Sequence, residues 1–313
     1  MTTVYLLANE SDPVGNATES LLNKSDGVQR ISLEDISSGE FDESDVLLVD
    51  EDMAKRLDLD DMPAFGLIQF LGCRPPLALL GHSASSDSVI AGISPNIAPR
   101  VANRVIGFTG PLSIKPRPQW GVVGLGEVGY EVVRKITATG NTATVAEMRT
   151  PRSGVLAELD VRRNTLDLLL SGSDVVSLHV HQGPTAAPLI SDRELNLMNP
   201  DAVMINTSDS SVVDEQAVIT ALENGVIAGY ATDCPGEVIT NADEALAATG
   251  KLIVTTNPLT NQIGAAQQIA KFIAENMAAH DAGSPVQGIF DPIDFPTAGD
   301  PSFWSSRMSP RQD

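Results

Sequence analysis

Residues 116 to 150 read PRPQWGVVGLGEVGYEVVRKITATGNTATVAEMRT, and this stretch decides the fold. Trp120 to Val123 is a short apolar run that leads straight into GLGEVG, and from Val128 to Ile136 the apolar positions take up helical spacing. A second β-rich run, Thr142 to Ala146, ends on Glu147. Strand, glycine turn, helix and strand form the setting in which this glycine spacing signals a dinucleotide. Gly124 permits the tight turn, Gly126 lets the backbone approach a pyrophosphate, and Gly129 allows close helix–strand packing. The helix N-terminus that follows presents unpaired N–H groups and a partial positive charge to phosphate. Glu147 stands where a carboxylate accepts hydrogen bonds from the adenosine ribose hydroxyls.

Outward from this unit, composition narrows the class. The chain has 313 residues, enough for two domains with separate cores, and 42% of them are hydrophobic, as in soluble globular proteins. Lys and Arg number 20 against 41 Asp and Glu, a net charge of -21. A phosphate-backbone surface needs clustered cations, so nucleic acid is not an expected partner. Cys73 and Cys234 are the only cysteines, which supports neither a disulfide framework nor a thiolate metal site. No apolar run approaches membrane-spanning length, and the N-terminal run is too short for a signal peptide. A reducing cytoplasm, no membrane association and no metal are the expectations.

Before the glycine turn, Val4 to Leu7, Val28 to Ile31, VLLVD at 46 to 50 and FGLIQFLG at 65 to 72 read as strands, with a helix over Ala17 to Leu22. CRPPLALLGHSASSD, 73 to 87, reads as a loop, and IAPRVANRVIGFTG, 97 to 110, as a helix linking two domains. After Glu147 the βα rhythm continues through Leu166 to Leu170, VVSLHV at 175 to 180, AVMIN at 202 to 206, a helix from Asp214 to Asn224, VIAGYATD at 226 to 233 and LIVTTN at 252 to 257. A long helix covers Ile263 to Ala279, and a Pro- and Ser-rich end follows. Short apolar runs alternating with helices imply parallel sheets covered on both faces. The expected architecture is α/β, with two Rossmann-like or flavodoxin-like domains and a cofactor cleft between them. Residues 1–96 plus 285–313 would form the substrate domain and 97–284 the dinucleotide domain.

Several stretches together, GLGEVG, SDVVSLHVHQGPTAAPLI (173–190), LNLMNPDAVMINTS (195–208) and VVDEQAVITALENGVIAGYATD (212–233), resemble the NAD-binding domain of the D-isomer-specific 2-hydroxyacid dehydrogenases. The resemblance covers roughly residues 100 to 282. It implies that Leu125, Gly126, Glu127 and Val128 face the pyrophosphate and that Val180 and His181 lie beside the cofactor. Thr207 and Ser208 would add a backbone wall, and Asp233 would bind the nicotinamide carboxamide, with Asn257 nearby. Glu147 would repel a 2'-phosphate, so NAD is expected over NADP, although Arg149 and Arg152 could stack on adenine or meet that phosphate.

The resemblance breaks at the positions of chemistry. The family's substrate-clamping Arg falls on Asp209, whose charge would repel a 2-keto or 2-hydroxy acid. Its acid/base His falls on Asn257, and an amide does not exchange protons near neutral pH. The Glu that orients that His would fall near Glu237, one residue out of spacing. The turn expected to hold the substrate carboxylate contains Cys73 and Arg74 followed by Pro75 and Pro76, which have no N–H. His181 is the spare proton-transfer candidate, and Cys234 reads as an inert small residue. Two functions therefore stand as expectations. One is an NAD-dependent oxidoreductase of this type, a homodimer acting on a small molecule of unknown identity with a diverged active site. The other is a catalytically silent NAD(H)-binding sensor or scaffold on the same fold.

Overall fold

Parallel pairing of short apolar strands, each followed by a capped helix, builds both halves of the computed structural model. It describes residues 2–290 apart from 24–26, 61, 74, 87, 149–150, 152–153, 181–186, 243 and 256–263. The described residues fall into two compact units, one drawn from Met1–Ile97 and Pro258–Pro296, the other from Ala98–Asn257.

In the first unit the elements run β1 (Val4–Leu7), α1 (Pro13–Leu22), β2 (Val28–Arg30), α2 (Leu33–Ser38), β3 (Val46–Val49), α3 (Glu51–Arg56), β4 (Leu67–Phe70), α4 (Leu77–Ser85) and β5 (Val89–Ala91). The strands form one parallel sheet in the order β2-β1-β3-β4-β5, the flavodoxin-like arrangement. Every residue of β3 and β4 is buried, as a sheet covered on both faces requires. Helix starts are fixed by side chains that take up orphan N–H groups: Asp12 accepts from Gly15, Asp50 from Met53, and Ser32 with Asp35 forms a capping box.

Two expectations are corrected here. Residues 77 to 85, read as part of a loop, are helical: Pro76 stands at the N-cap, and Leu79 and Leu80 point into the core. Proline cannot continue a helix but suits its start, and the two prolines masked the short helix behind them. The long C-terminal helix, assigned from sequence to the dinucleotide domain, instead packs along α1. Its apolar stripe (Ile269, Phe272, Ile273) is buried there, and the chain after it returns beside β5, where Phe290 N donates to Ile90 O at 2.9 Å.

A buried polar knot anchors this helix. Asn276, 1% exposed, donates from Nδ2 to Gln69 Oε1 and to Gln287 O, both at 2.9 Å, and accepts from Gln287 N at 3.0 Å. Gln69 in turn donates to the carbonyls of Phe70 and Ala91 across the sheet. Asn276→Leu keeps the volume but strands the Gln69 and Gln287 partners, so a loss of about 2–3 kcal/mol is expected. Urea denaturation checks this: an unchanged midpoint would show that the knot does not hold the helix.

The second unit opens with α5 (Ser94–Gly107), most of which belongs to it, and continues through β6 (Gln119–Val123), α6 (Glu127–Ala138), β7 (Thr142–Ala146), α7 (Val155–Glu158), β8 (Arg162–Arg163), α8 (Leu166–Gly172) and β9 (Val175–Leu178). Then come α9 (Asp192–Leu195), β10 (Val203–Asn206), a 3-10 turn (Ser210–Val212), α10 (Glu215–Glu223), β11 (Gly229–Thr232), α11 (Glu237–Thr240), α12 (Glu244–Ala248) and β12 (Leu252–Val254); the C-terminal helix of the first unit is α13 (Ala265–Asp281). Leu166–Leu170 is thus helix, with Thr165 as N-cap and Leu166, Leu169 and Leu170 buried. The seven strands are parallel in the order β12-β11-β10-β9-β6-β7-β8. Chain order reverses between β6 and β9, which places a crevice at their carboxyl ends. Register levels those ends: Val123 pairs with Ala146 and Leu178, and Asn206 pairs with Leu178 and Thr232. Gly124, Glu147, His179, Thr207 and Asp233, each the next residue along its strand, therefore share one edge.

Candidate functional site

The turn after β6 has the geometry its glycines require. Gly124 has φ +93°, and a Cβ there would collide with the His179 carbonyl; both conditions demand glycine. A Cβ on Gly129 would overlap the Gly124 carbonyl oxygen, so α6 rests directly on the turn. Gly126 is the N-cap of α6, and no side chain caps the helix. Its first N–H groups point along the axis with the positive end of the helix dipole, an arrangement suited to an anion. Glu127 lies in that first turn.

Glu147, 9% exposed, closes the turn from the other side: Leu125 N donates to its Oε2 at 2.6 Å. The carboxylate thus stands beside the glycine turn at the end of β7. Arg149 and Arg152 lie outside the described residues. On the neighbouring strand ends, Val180 is buried, and Ser208 Oγ donates to Leu178 O at 2.6 Å. The hydroxyl of Thr207 is shielded from solvent and has no hydrogen-bond partner among the described residues. An orphaned hydroxyl, an uncapped helix start and a carboxylate at the ribose position together fit a dinucleotide.

Asp209 follows β10. Its side chain accepts from Ser211 N at 2.8 Å and caps the 3-10 turn, while Asn206 Nδ2 holds its carbonyl at 2.9 Å. Asp233 pairs with Arg104, Nη1 to Oδ2 at 2.8 Å, with side chains 12% and 13% exposed respectively. Loss of water pushes the Asp233 carboxyl above its usual range, against the pull of the Arg104 charge. Burial likewise pushes the Cys234 thiol up to about 12, with Asp233, Asp209 and Glu215 adding to the rise. It is a protonated thiol and not a nucleophile at neutral pH.

Glu237 is exposed on the first turn of α11. The buried carboxylate at that helix start is Glu215, 8% exposed, which accepts from Gly236 N at 2.6 Å and Ile239 N at 3.1 Å. His181, Asn257 and Arg74 lie outside the described residues. The histidine described at this edge is His179, whose Nε2 meets Ser177 Oγ at 2.7 Å. Cys73 belongs to the first unit, where its carbonyl accepts from Ser94 Oγ at 2.8 Å. Among the described residues no group of three or more His, Cys, Asp or Glu is placed to hold a metal ion, and no helix is long and apolar enough to cross a membrane.

Reading the sequence missed Arg104 and Glu215. The available signals were a cation beside the apolar stripe of Val101, Ala102 and Val105, and an acid directly after the helix cap Asp214.

Residues 115–256 match the family model of the D-isomer specific 2-hydroxyacid dehydrogenase NAD binding domain. A glyoxylate reductase of Thermococcus litoralis is 35% identical over 113 residues, 36% of this chain and 34% of that protein. A glycerate dehydrogenase of Methylorubrum extorquens is 28% identical over 172 residues, 53% of this chain and 50% of that protein. The chain thus spans a third to a half of the length of these relatives. In solved structures the likeness extends over both units: a glyoxylate reductase from Paecilomyes thermophila superimposes with a TM-score of 0.71 at 17% identity, covering 92% of this chain and 98% of that one. That two-domain α/β fold is the one described above. Over residues 115–256, then, the chain is similar to the NAD-binding domain of the D-isomer-specific 2-hydroxyacid dehydrogenases.

Proposed function

We propose that the protein is a nicotinamide-dependent oxidoreductase of the D-2-hydroxyacid dehydrogenase type that takes NAD(H) and whose substrate clamp and proton-transfer position have changed. The observation that carries the reading is the Gly124–Gly129 turn with the Glu147 carboxylate at 2.6 Å from its Leu125 amide. In this assignment the N–H groups of Leu125 to Val128 meet the pyrophosphate. Glu147 exchanges its bond to Leu125 for ribose hydroxyls, and Thr207 Oγ1, Ser208 and Val180 line the nicotinamide side. Asp233 accepts from the carboxamide. A nicotinamide bound there supplies hydride exchange, and the chain's task is to orient it and to hold a small carbonyl or hydroxyl substrate.

The altered chemistry rests on Asp209, whose carboxylate accepts from Ser211 N, and on Asn257. Asp209 also favours the second reading, a silent NAD(H)-binding protein, because a carboxylate at that position repels an anionic substrate. Turnover assays separate the two. A homodimer in a reducing cytoplasm completes the proposal.

Coenzyme choice gives the direct test. Calorimetry is expected to show NADPH binding at least about tenfold weaker than NADH, since its 2'-phosphate would face the Glu147 charge. Tighter NADPH binding would mean that Arg149 and Arg152 control this end of the site.

A further inference from the structure

We propose that Arg104 is a positioning residue of the coenzyme site, holding the Asp233 carboxylate at the end of β11 in one orientation and as half of a charge-balanced pair. The role rests on the coenzyme reading above, in which Asp233 accepts a hydrogen bond from the nicotinamide amide. Arg104 comes from α5, an element outside the glycine motif, and its bond to Asp233 at 2.8 Å joins residues 129 apart in the chain. Both side chains are almost wholly withdrawn from water. A guanidinium fixes a carboxylate by direction as well as charge.

Two effects oppose each other at Asp233: loss of water favours the protonated acid, while Arg104, by hydrogen bond and by charge, favours the carboxylate. Cys234, next in the chain, is a neutral thiol, and the negative potential of Asp209 from the turn after β10 and of Glu215 from α10 falls on it. Without it, the carboxyl would ionise only at higher pH, and the ionised form would stand alone. A lone carboxylate beside the ring favours the cationic oxidised nicotinamide over the neutral reduced one. Paired with a guanidinium, the position carries no net charge and shows no such preference. Arg104 thus governs the balance between the two coenzyme forms.

The test is the ratio of the NADH and NAD+ dissociation constants between pH 6 and 9, measured on the full chain. In the unmodified protein the ratio is expected to stay flat. In Arg104→Met it is expected to rise with pH, by at least about tenfold across the range, as Asp233 ionises without a counter-charge. Arg104→Lys should keep the ratio flat while weakening both forms alike, and Arg104→Met with Asp233→Asn should return it to flat. Should Arg104→Met fold poorly, these last two variants carry the test. Groups shared with the unmodified protein, His179 and His181 among them, cancel in the comparison. A flat ratio in Arg104→Met, a slope in Arg104→Lys, or a slope persisting in the double variant would each overturn the role of Arg104 while leaving the coenzyme reading intact. Failure of the unmodified protein to bind either form would overturn both.

Discussion

Asp209→Arg combined with Asn257→His is expected to raise NADH-dependent reduction of glyoxylate, hydroxypyruvate or pyruvate by at least about 10²-fold over the unmodified chain, the scale of one general acid alone. Two deficits would be repaired at once. A 2-keto acid needs a cation for its carboxylate, and position 209 now presents a carboxylate bound to Ser211 N. The carbonyl oxygen needs a proton as hydride arrives, and the amide of Asn257 has none to give near neutral pH. Removing Asp209 also removes the cap of the 3-10 turn, a loss of about 1 kcal/mol that the fold should absorb. Stopped assays with all three acids, before and after substitution, decide the matter. Ordinary turnover by the unmodified protein would mean that another residue has taken over both tasks. A double variant that binds NADH normally and stays inactive would move the deficit to the first unit, where Pro75 and Pro76 stand in the turn after β4.

The dinucleotide unit was legible because each of its residues is tied to local backbone chemistry. A glycine at φ +93°, a helix resting on the turn and an acid at the next strand end all leave marks a few residues apart. The sheet was legible for the same reason, since VLLV is apolar on both faces and the apolar VMI of VMIN leads into a strand end that is buried throughout. What escaped depends on partners distant in the chain. Helix α13 carries an apolar stripe that would suit either unit; its packing along α1 and the bond from Asn276 to Gln69, 207 residues away, tie it to the first. Nothing local to the linking helix singles out Arg104, whose partner Asp233 lies 129 residues further along the chain. Glu237, which the resemblance implies one residue out of spacing, is exposed, and the carboxylate that caps the start of its helix is Glu215 from another element. Sequence spacing carries local geometry, while burial and pairing across the sheet emerge only with the fold.

Gly129→Ala is expected to weaken NADH binding by about 10- to 10²-fold, the loss of one hydrogen bond to a charged group, about 1.5–3 kcal/mol. The added methyl would overlap the Gly124 carbonyl oxygen, and both sides of that contact are backbone, so no side chain can turn aside. Relief has to come from lifting α6 off the turn. That shift carries the N–H groups of Glu127 and Val128 away from the pyrophosphate position and strains the Leu125–Glu147 bond. Gly140→Ala is the matched control. It lies just past the end of the same helix at φ +75° with nothing within 4 Å of the added carbon, so it should cost about 1–2 kcal/mol in backbone strain and leave coenzyme affinity unchanged. Equal losses of affinity in the two variants would mean that the helix as a whole has loosened. Full affinity in Gly129→Ala would show that the turn does not hold the coenzyme.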